Sequence, residues 1–146
     1  MQTIFEHYAA GERLYSQMVT AVCQRYGLTY MEFTVLMFLA NNPQYDRASE
    51  VVKYRRLTKS HVSISVRALE EKGLLTGLCP ETDRRSIRLK LTAQADAVVS
   101  DGRQAQKSFG EAIFHGFTRE EYTLLAGFME RIDGNIRRAL EAEPTR

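Results

Sequence analysis

Ten lysine and arginine side chains fall between Lys53 and Lys90 (Lys53, Arg55, Arg56, Lys59, Arg67, Lys72, Arg84, Arg85, Arg88 and Lys90), against four acids (Glu70, Glu71, Glu81 and Asp83). The segment is therefore +6 and the remainder of the chain −4, within a formal total of +2. A basic centre between acidic arms is the charge distribution of a polyanion site carried on a separate scaffold. Covalent and metal chemistry have less to work with. His7, His61 and His115 lie in separate stretches, none with a second His or Cys at i+3 or i+4 to share a helix face, so neither a metal nor a cofactor is expected. Cys23 and Cys79 form no disulfide framework and no metal-like pair. Cys23, near Tyr26 and Tyr30, reads as a buried, inert thiol. Its rival use as the nucleophile of a small enzyme would require turnover that is lost on Cys23→Ala. No Ser/His/Asp order, phosphate-cradling glycine loop or carboxylate pair is recognisable, so an enzyme is not expected.

The scaffold that must hold this basic centre has the size of one domain, with 146 residues of which 44% are hydrophobic, and residues 1–146 are expected to form a single unit. Met1 to Tyr15 carries charges and lacks the apolar core of a signal peptide. The longest nearly apolar stretch, Phe33 to Ala40, is too short to cross a bilayer, so a cytoplasmic protein without membrane association is expected.

Paired start signals locate the helices. Thr118 and Glu121 form a capping box with Phe117 and Tyr122 as its hydrophobic staple; Thr29 and Glu32 repeat it with Leu28 and Phe33, after Gly27 has ended the preceding helix; Leu57, Thr58 and Val62 give the staple without the acid. Helices are thus expected to begin near residues 30, 59 and 119. Ile4, Tyr8, Tyr15, Met18, Val22 and Tyr26 trace one face of a first helix, and Tyr122, Leu125, Met129, Ile132, Ile136 and Leu140 one face of the last. A short helix from Asp46, as N-cap, to Lys53 leads through Tyr54 to Leu57 into a helix from Thr58 to Lys72, which is a helix-turn-helix. Gly73 stops the second helix. Ile87 to Leu91 alternates as a half-buried strand, and Leu74 to Cys79 is its antiparallel partner across a basic loop. Thr92 caps a further helix through Ala95, Val98, Val99, Ala105 and Phe109, which Gly102 and Gly110 weaken by about 1 kcal/mol each. The fold class is mainly α with a small β-hairpin wing.

At about 100° per residue, Val62, Val66 and Leu69 lie within about 60° of one another and define the inward face of the second helix. Ser60, Ile64, Arg67 and Glu71 lie opposite, with Ser63 at the flank. Ser60 and Ser63 are short hydrogen-bonding groups, Arg67 can fork onto guanine or grip a phosphate, Lys59 supplies charge to a phosphate backbone, and His61 flanks the face. Two readings stand for Ile64: contact with a thymine methyl, or packing on the preceding helix or the wing. Arg84 and Arg85 at the hairpin tip suit insertion into a minor groove, with a solvated charged loop as the alternative. Arg55 and Arg56 face phosphates or water.

This chain resembles the multiple-antibiotic-resistance regulator (MarR) family. The resemblance runs from about Gly27 to Thr92, through Leu28-Thr29 leading into Phe33 to Leu39, Thr58-Lys59-Ser60-His61-Val62-Ser63, Leu69-Glu70-Glu71-Lys72-Gly73-Leu74, and Asp83-Arg84-Arg85 before Leu91-Thr92. It implies a winged helix-turn-helix over about 28–91 and dimerisation helices over about 3–26 and 92–141. The implied protein is a homodimeric transcriptional regulator that binds a pseudo-palindromic operator in double-stranded DNA. Asp83 orients a wing arginine in the family pattern, and many relatives carry an arginine where Ile64 stands. Peroxide-sensing relatives place their reactive cysteine earlier in the first helix than Cys23. The family's effectors are small apolar or phenolic molecules bound between scaffold and DNA-binding lobe, which points here to Tyr15, Met18 and Tyr30. The alternative is a winged-helix module whose basic face meets an acidic protein.

Overall fold

The computed structural model describes residues 4–78 and 87–142. In chain order its elements are α1 (Ile4–Tyr26), α2 (Tyr30–Asn41), α3 (Ala48–Arg55), α4 (Lys59–Glu71), β1 (Leu75–Leu78), β2 (Arg88–Leu91), a single 3₁₀ turn (Ala93–Ala95), α5 (Asp96–Ile113) and α6 (Arg119–Ala142). They fall into two compact units, one ending at Phe109 and the other beginning at Gly110, with the division inside α5.

The first unit is built around α2. All eight residues from Glu32 to Leu39 are buried, as a helix apolar on every side must be, and α1, α3, α4 and β2 pack around it. Val19 and Cys23 of α1, Val51 of α3, Val62 and Leu69 of α4, Leu75 and Leu89 of the hairpin and Val98 of α5 complete the core. In α1 the buried side is centred on Val19 and Cys23; Tyr15, Met18, Val22 and Tyr26, which the sequence pattern marks as the inward face, are only partly buried along its edges. Gly102 has a positive reason to be in α5. A Cβ there would lie 2.5 Å from Met37 Sδ and 3.1 Å from Phe33 Cε2, so its absence lets α5 approach α2.

Local chemistry accounts for most helix ends. Thr29 Oγ1 accepts from the Glu32 amide at 3.1 Å while Glu32 accepts from the Thr29 amide at 3.1 Å. In the second unit, Thr118 and Glu121 make the same exchange at 3.2 and 2.8 Å, and Phe114 sits edge-on to both Phe117 and Tyr122, so the expected staple runs through a third ring. Gly73 ends α4 with φ 71°, a left-handed conformation that suits glycine, and the Leu74 amide reaches back to the Leu69 carbonyl at 3.0 Å.

The hairpin is antiparallel with Leu75 opposite Leu91 and Leu78 opposite Arg88. Leu89 is buried between exposed Arg88 and Lys90, but Ile87 lies outside the strand and is exposed, so the alternation begins one residue later than expected. Two expected caps serve tertiary structure instead. Arg47, not Asp46, occupies the N-cap of α3, its amide donating to Glu50 at 3.0 Å; Asp46 pairs its carboxylate with Arg88 at 2.7 Å and its carbonyl accepts from the Leu89 amide at 2.6 Å. Thr92 makes no side-chain cap; its hydroxyl donates to the Gly73 carbonyl at 2.6 Å and fastens the hairpin's exit to the end of α4. Asp101 of α5 accepts from Tyr26 at 2.8 Å and Arg25 at 2.7 Å, tying α5 to α1.

Gly102→Ala sets a helix-propensity gain of about 1 kcal/mol against an overpacking cost of about 1–3 kcal/mol. The variant should be less stable by about 1 kcal/mol in urea unfolding; a raised midpoint would mean that Met37 yields without cost. The Asp101 clasp should also be pH-dependent. Hydrogen bonds from Tyr26 and Arg25 hold the Asp101 carboxyl below its usual range. A carboxyl whose folded value is depressed contributes stability above its unfolded value and loses it as pH falls through the folded one. The melting-temperature gap between wild type and Asp101→Asn should therefore be open at neutral pH and close in acid, whereas an equal gap at both ends would rule the clasp out as a source of acid lability.

Candidate nucleic-acid interface

The second helix of the helix-turn-helix is held by one face and leaves the other bare. Its N-cap Thr58 accepts from the His61 amide at 3.2 Å, and Arg56 in the preceding turn takes a left-handed φ of 51°. Val62, Ser65 and Leu69 are buried, while Val66, expected among them, is only partly so. Lys59, Ser60, His61, Ser63, Ile64 and Arg67 are all exposed on the same helix. Ile64, at 66% exposure, does not pack into the preceding helix. The arrangement leaves two hydroxyls, an imidazole, a guanidinium, an ammonium and one aliphatic group exposed on a single helix.

The far end of α4 is pinned from the opposite side of the core. Lys72 donates to Glu32 at 2.5 Å and to the Gly27 carbonyl at 2.7 Å, so the carboxylate that caps α2 also anchors the end of α4. Glu32 is 7% exposed, which reduces solvent screening of the pair. Nothing in the sequence marks this pairing, because each residue has a sufficient local reading as a cap or a helix end.

Asp83, Arg84 and Arg85, expected at the wing tip, lie outside the described residues. In β2, Arg88 and Lys90 are exposed. Arg55 and Arg56 are exposed as well.

Of the expected effector residues, Tyr15 and Tyr30 come together, lining a cavity of about 290 Å³ with His7, Tyr8, Gly11, Glu12, Arg55 and Phe109. Met18 lines a different groove between α1 and α5, with Val22, Arg25 and Asp101 among its walls. Tyr15 is fixed by Gln106, whose amide donates to its hydroxyl at 3.0 Å, and by an edge-on contact with Phe109 at 5.3 Å. Partial burial, with the Tyr15 phenol nearby, raises the Tyr30 pKa above the usual tyrosine value. Arg55 was not recognisable as a wall of this cavity, since only the fold returns the end of α3 to α1. Burial likewise pushes the Cys23 thiol up, away from thiolate reactivity at neutral pH. Among the described residues no group of three His, Cys, Asp or Glu could hold a metal, and no helix is long and apolar enough to cross a membrane.

Residues 26–86, which include α2, α3, α4 and β1, match the family model of the MarR family. This segment is similar to the MarR family. The MarR likeness extends in fold over nearly the whole chain. A MarR-family transcriptional regulator from Listeria monocytogenes, solved with a 26mer DNA, superposes with a TM-score of 0.84 at 16% identity, covering 100% of this chain and 99% of its own. A MarR transcriptional regulator from Methanosarcina mazei gives 0.76 at 20% identity, covering 92% and 96%. BpsR of Bordetella bronchiseptica, whose DNA binding is regulated by 6-hydroxynicotinic acid, gives 0.70 at 18% identity, covering 90% and 99%.

Breaking the clamp at the end of α4 tests its energetic weight. Lys72→Met leaves Glu32 buried with one charged partner removed and should lower unfolding free energy by about 2 kcal/mol, the scale of a hydrogen bond to a charged group. Urea denaturation measures this, and an unchanged midpoint would show that the clamp carries no net stability.

Proposed function

We propose that this chain is a sequence-specific DNA-binding transcriptional regulator, acting as a homodimer on a pseudo-palindromic operator and not as an enzyme. The observation that carries the reading is the bare side of α4. A helix whose other side is fixed by Val62 and Leu69 exposes Lys59, Ser60, His61, Ser63, Ile64 and Arg67 together, the groups that fit a major groove. In this reading Ser60, Ser63 and Arg67 meet base edges, Lys59 and His61 the phosphate backbone, and Arg84 and Arg85, oriented by Asp83, the neighbouring minor groove. Residues 28–91 then form the DNA-binding part of one domain, with the helices of about 3–26 and 92–141 as its dimer scaffold.

In this reading a second copy of the chain is supported by the exposed apolar face of α6. None of its residues is buried, and Leu124, Phe128, Met129, Ile132, Ile136 and Leu140 are all exposed, more apolar surface than a helix leaves in water without a partner. Two-fold symmetry would set the recognition helices roughly 34–36 Å apart, one turn of the duplex. An effector that prefers one separation of those helices over another would switch binding. The cavity beside Tyr15 and Tyr30, with aromatic walls and the Arg55 guanidinium, suits a small phenolic or aromatic acid, and the regulation of BpsR by 6-hydroxynicotinic acid is a precedent in the same fold.

Binding to a duplex recovered by in vitro selection should weaken steeply with salt, each neutralised phosphate adding about −0.9 to the log-log slope. Lys59→Ala should flatten that slope by about 1 per protomer and weaken all sequences alike, while Arg67→Ala should relax sequence preference. Fluorescence anisotropy across a salt series measures both. Salt-independent binding, or no enriched duplex, would favour the protein-interaction module.

A further inference from the structure

Ile64 is 66% exposed, more than any other described leucine, isoleucine or methionine. One exposed aliphatic residue is ordinary on a protein surface. Its setting is not: its neighbours one turn away along the exposed side are Ser60, His61 and Arg67, and no second exposed aliphatic side chain lies on α4. Ser63, Ile64, Arg67, Ala68 and Glu71 border one open depression of about 300 Å³. A protein-binding hot spot clusters large apolar groups in a patch; here Ile64 is the one large apolar group, with the small Ala68 methyl and the side chains of Ser63, Arg67 and Glu71 around it. The major-groove edge of DNA has the matching pattern: donors and acceptors throughout, and a single kind of apolar group, the thymine C5-methyl.

We propose that Ile64 is a specificity-determining residue that reads a thymine in each half-site through its C5-methyl group. The inference rests on the DNA-binding reading above and adds to it the base and the atom. Ser63 and Arg67, on either side of the isoleucine, place hydrogen-bonding groups over the adjoining base edges, so a register that satisfies them brings the apolar group to one defined base pair.

The experiment uses the full chain and duplexes selected from a random library, in which symmetric pairs of thymines are replaced in turn by deoxyuridine, a change that removes only the methyl. Burial of one methyl corresponds to about a fourfold affinity change per half-site, hence about fifteenfold for a symmetric pair. Wild type should lose that factor at one symmetric pair. Ile64→Ser should bind thymine and uracil versions equally there, and Ile64→Val should restore the discrimination. The residue's exposure means that both variants should melt like wild type. An undiminished uracil loss in Ile64→Ser, or no uracil-sensitive thymine in wild type, overturns the assignment while leaving DNA binding intact. Failure of wild type to enrich any duplex at low salt overturns the DNA-binding reading itself, and this inference with it.

Discussion

Glu32 accepts from the Thr29 amide and from Lys72, and its own amide donates to Thr29 Oγ1, all at the start of the helix that forms the centre of the core. An ion pair in which only the carboxylate is buried is by itself weak evidence for stability, because desolvation of that partner offsets the Coulombic attraction. Its stronger consequence is geometric. Removing either partner strands a charge or uncaps α2, so the end of α4 is held at one position relative to α2. With Lys72 also donating to the Gly27 carbonyl, the turn between α1 and α2 joins the same junction.

The remaining fastenings work outward from that junction. Gly73 turns the chain out of α4, Thr92 returns a hydroxyl to the Gly73 carbonyl, and the Thr92 amide donates to the Leu74 carbonyl at 3.1 Å. The hairpin is thereby closed against the helix on one side, and on the other Asp46 holds Arg88 and the Leu89 amide. The Arg88 pair is exposed and weak in energy, about 0–1 kcal/mol, but with the backbone bond beside it the register of β2 is defined. Stem and helix are thus positioned by the same few residues that close the core, and the cations they carry remain outside. A charged surface on a fixed frame is what phosphate contacts require for orientation, leaving base edges to supply specificity.

Much of this frame was legible in the sequence wherever both halves of a signal sit within one turn. Thr29 with Glu32 and Thr118 with Glu121 could be matched because an N-cap and its N3 partner are three residues apart. Val62 and Leu69 could be matched by helical period, and the bare side of α4 followed by exclusion. Signals whose second half is distant failed in an instructive way. The residue types of Asp46 and Thr92 suit the local role of capping, whereas their partners, Arg88 and Gly73, lie 42 and 19 residues away. Gly102 reads in the sequence as a weak point in a helix, because Met37 and Phe33, which leave no room for a Cβ there, are distant in the chain. Arg55 joined Tyr15 and Tyr30 only through tertiary folding. The expectation of a dimer and an effector, by contrast, rests on the family resemblance and not on any spacing of residues.

In the proposed function, the exposed side of α4 is the surface that meets duplex DNA. Titrating the isotopically labelled protein with a selected duplex and following its amide and methyl NMR signals examines that surface residue by residue. Ser60, Ser63, Ile64 and Arg67 should be among the first and most strongly shifted, with Val62 and Leu69 behind them moving little. Large shifts elsewhere with these four unchanged would contradict this role of α4.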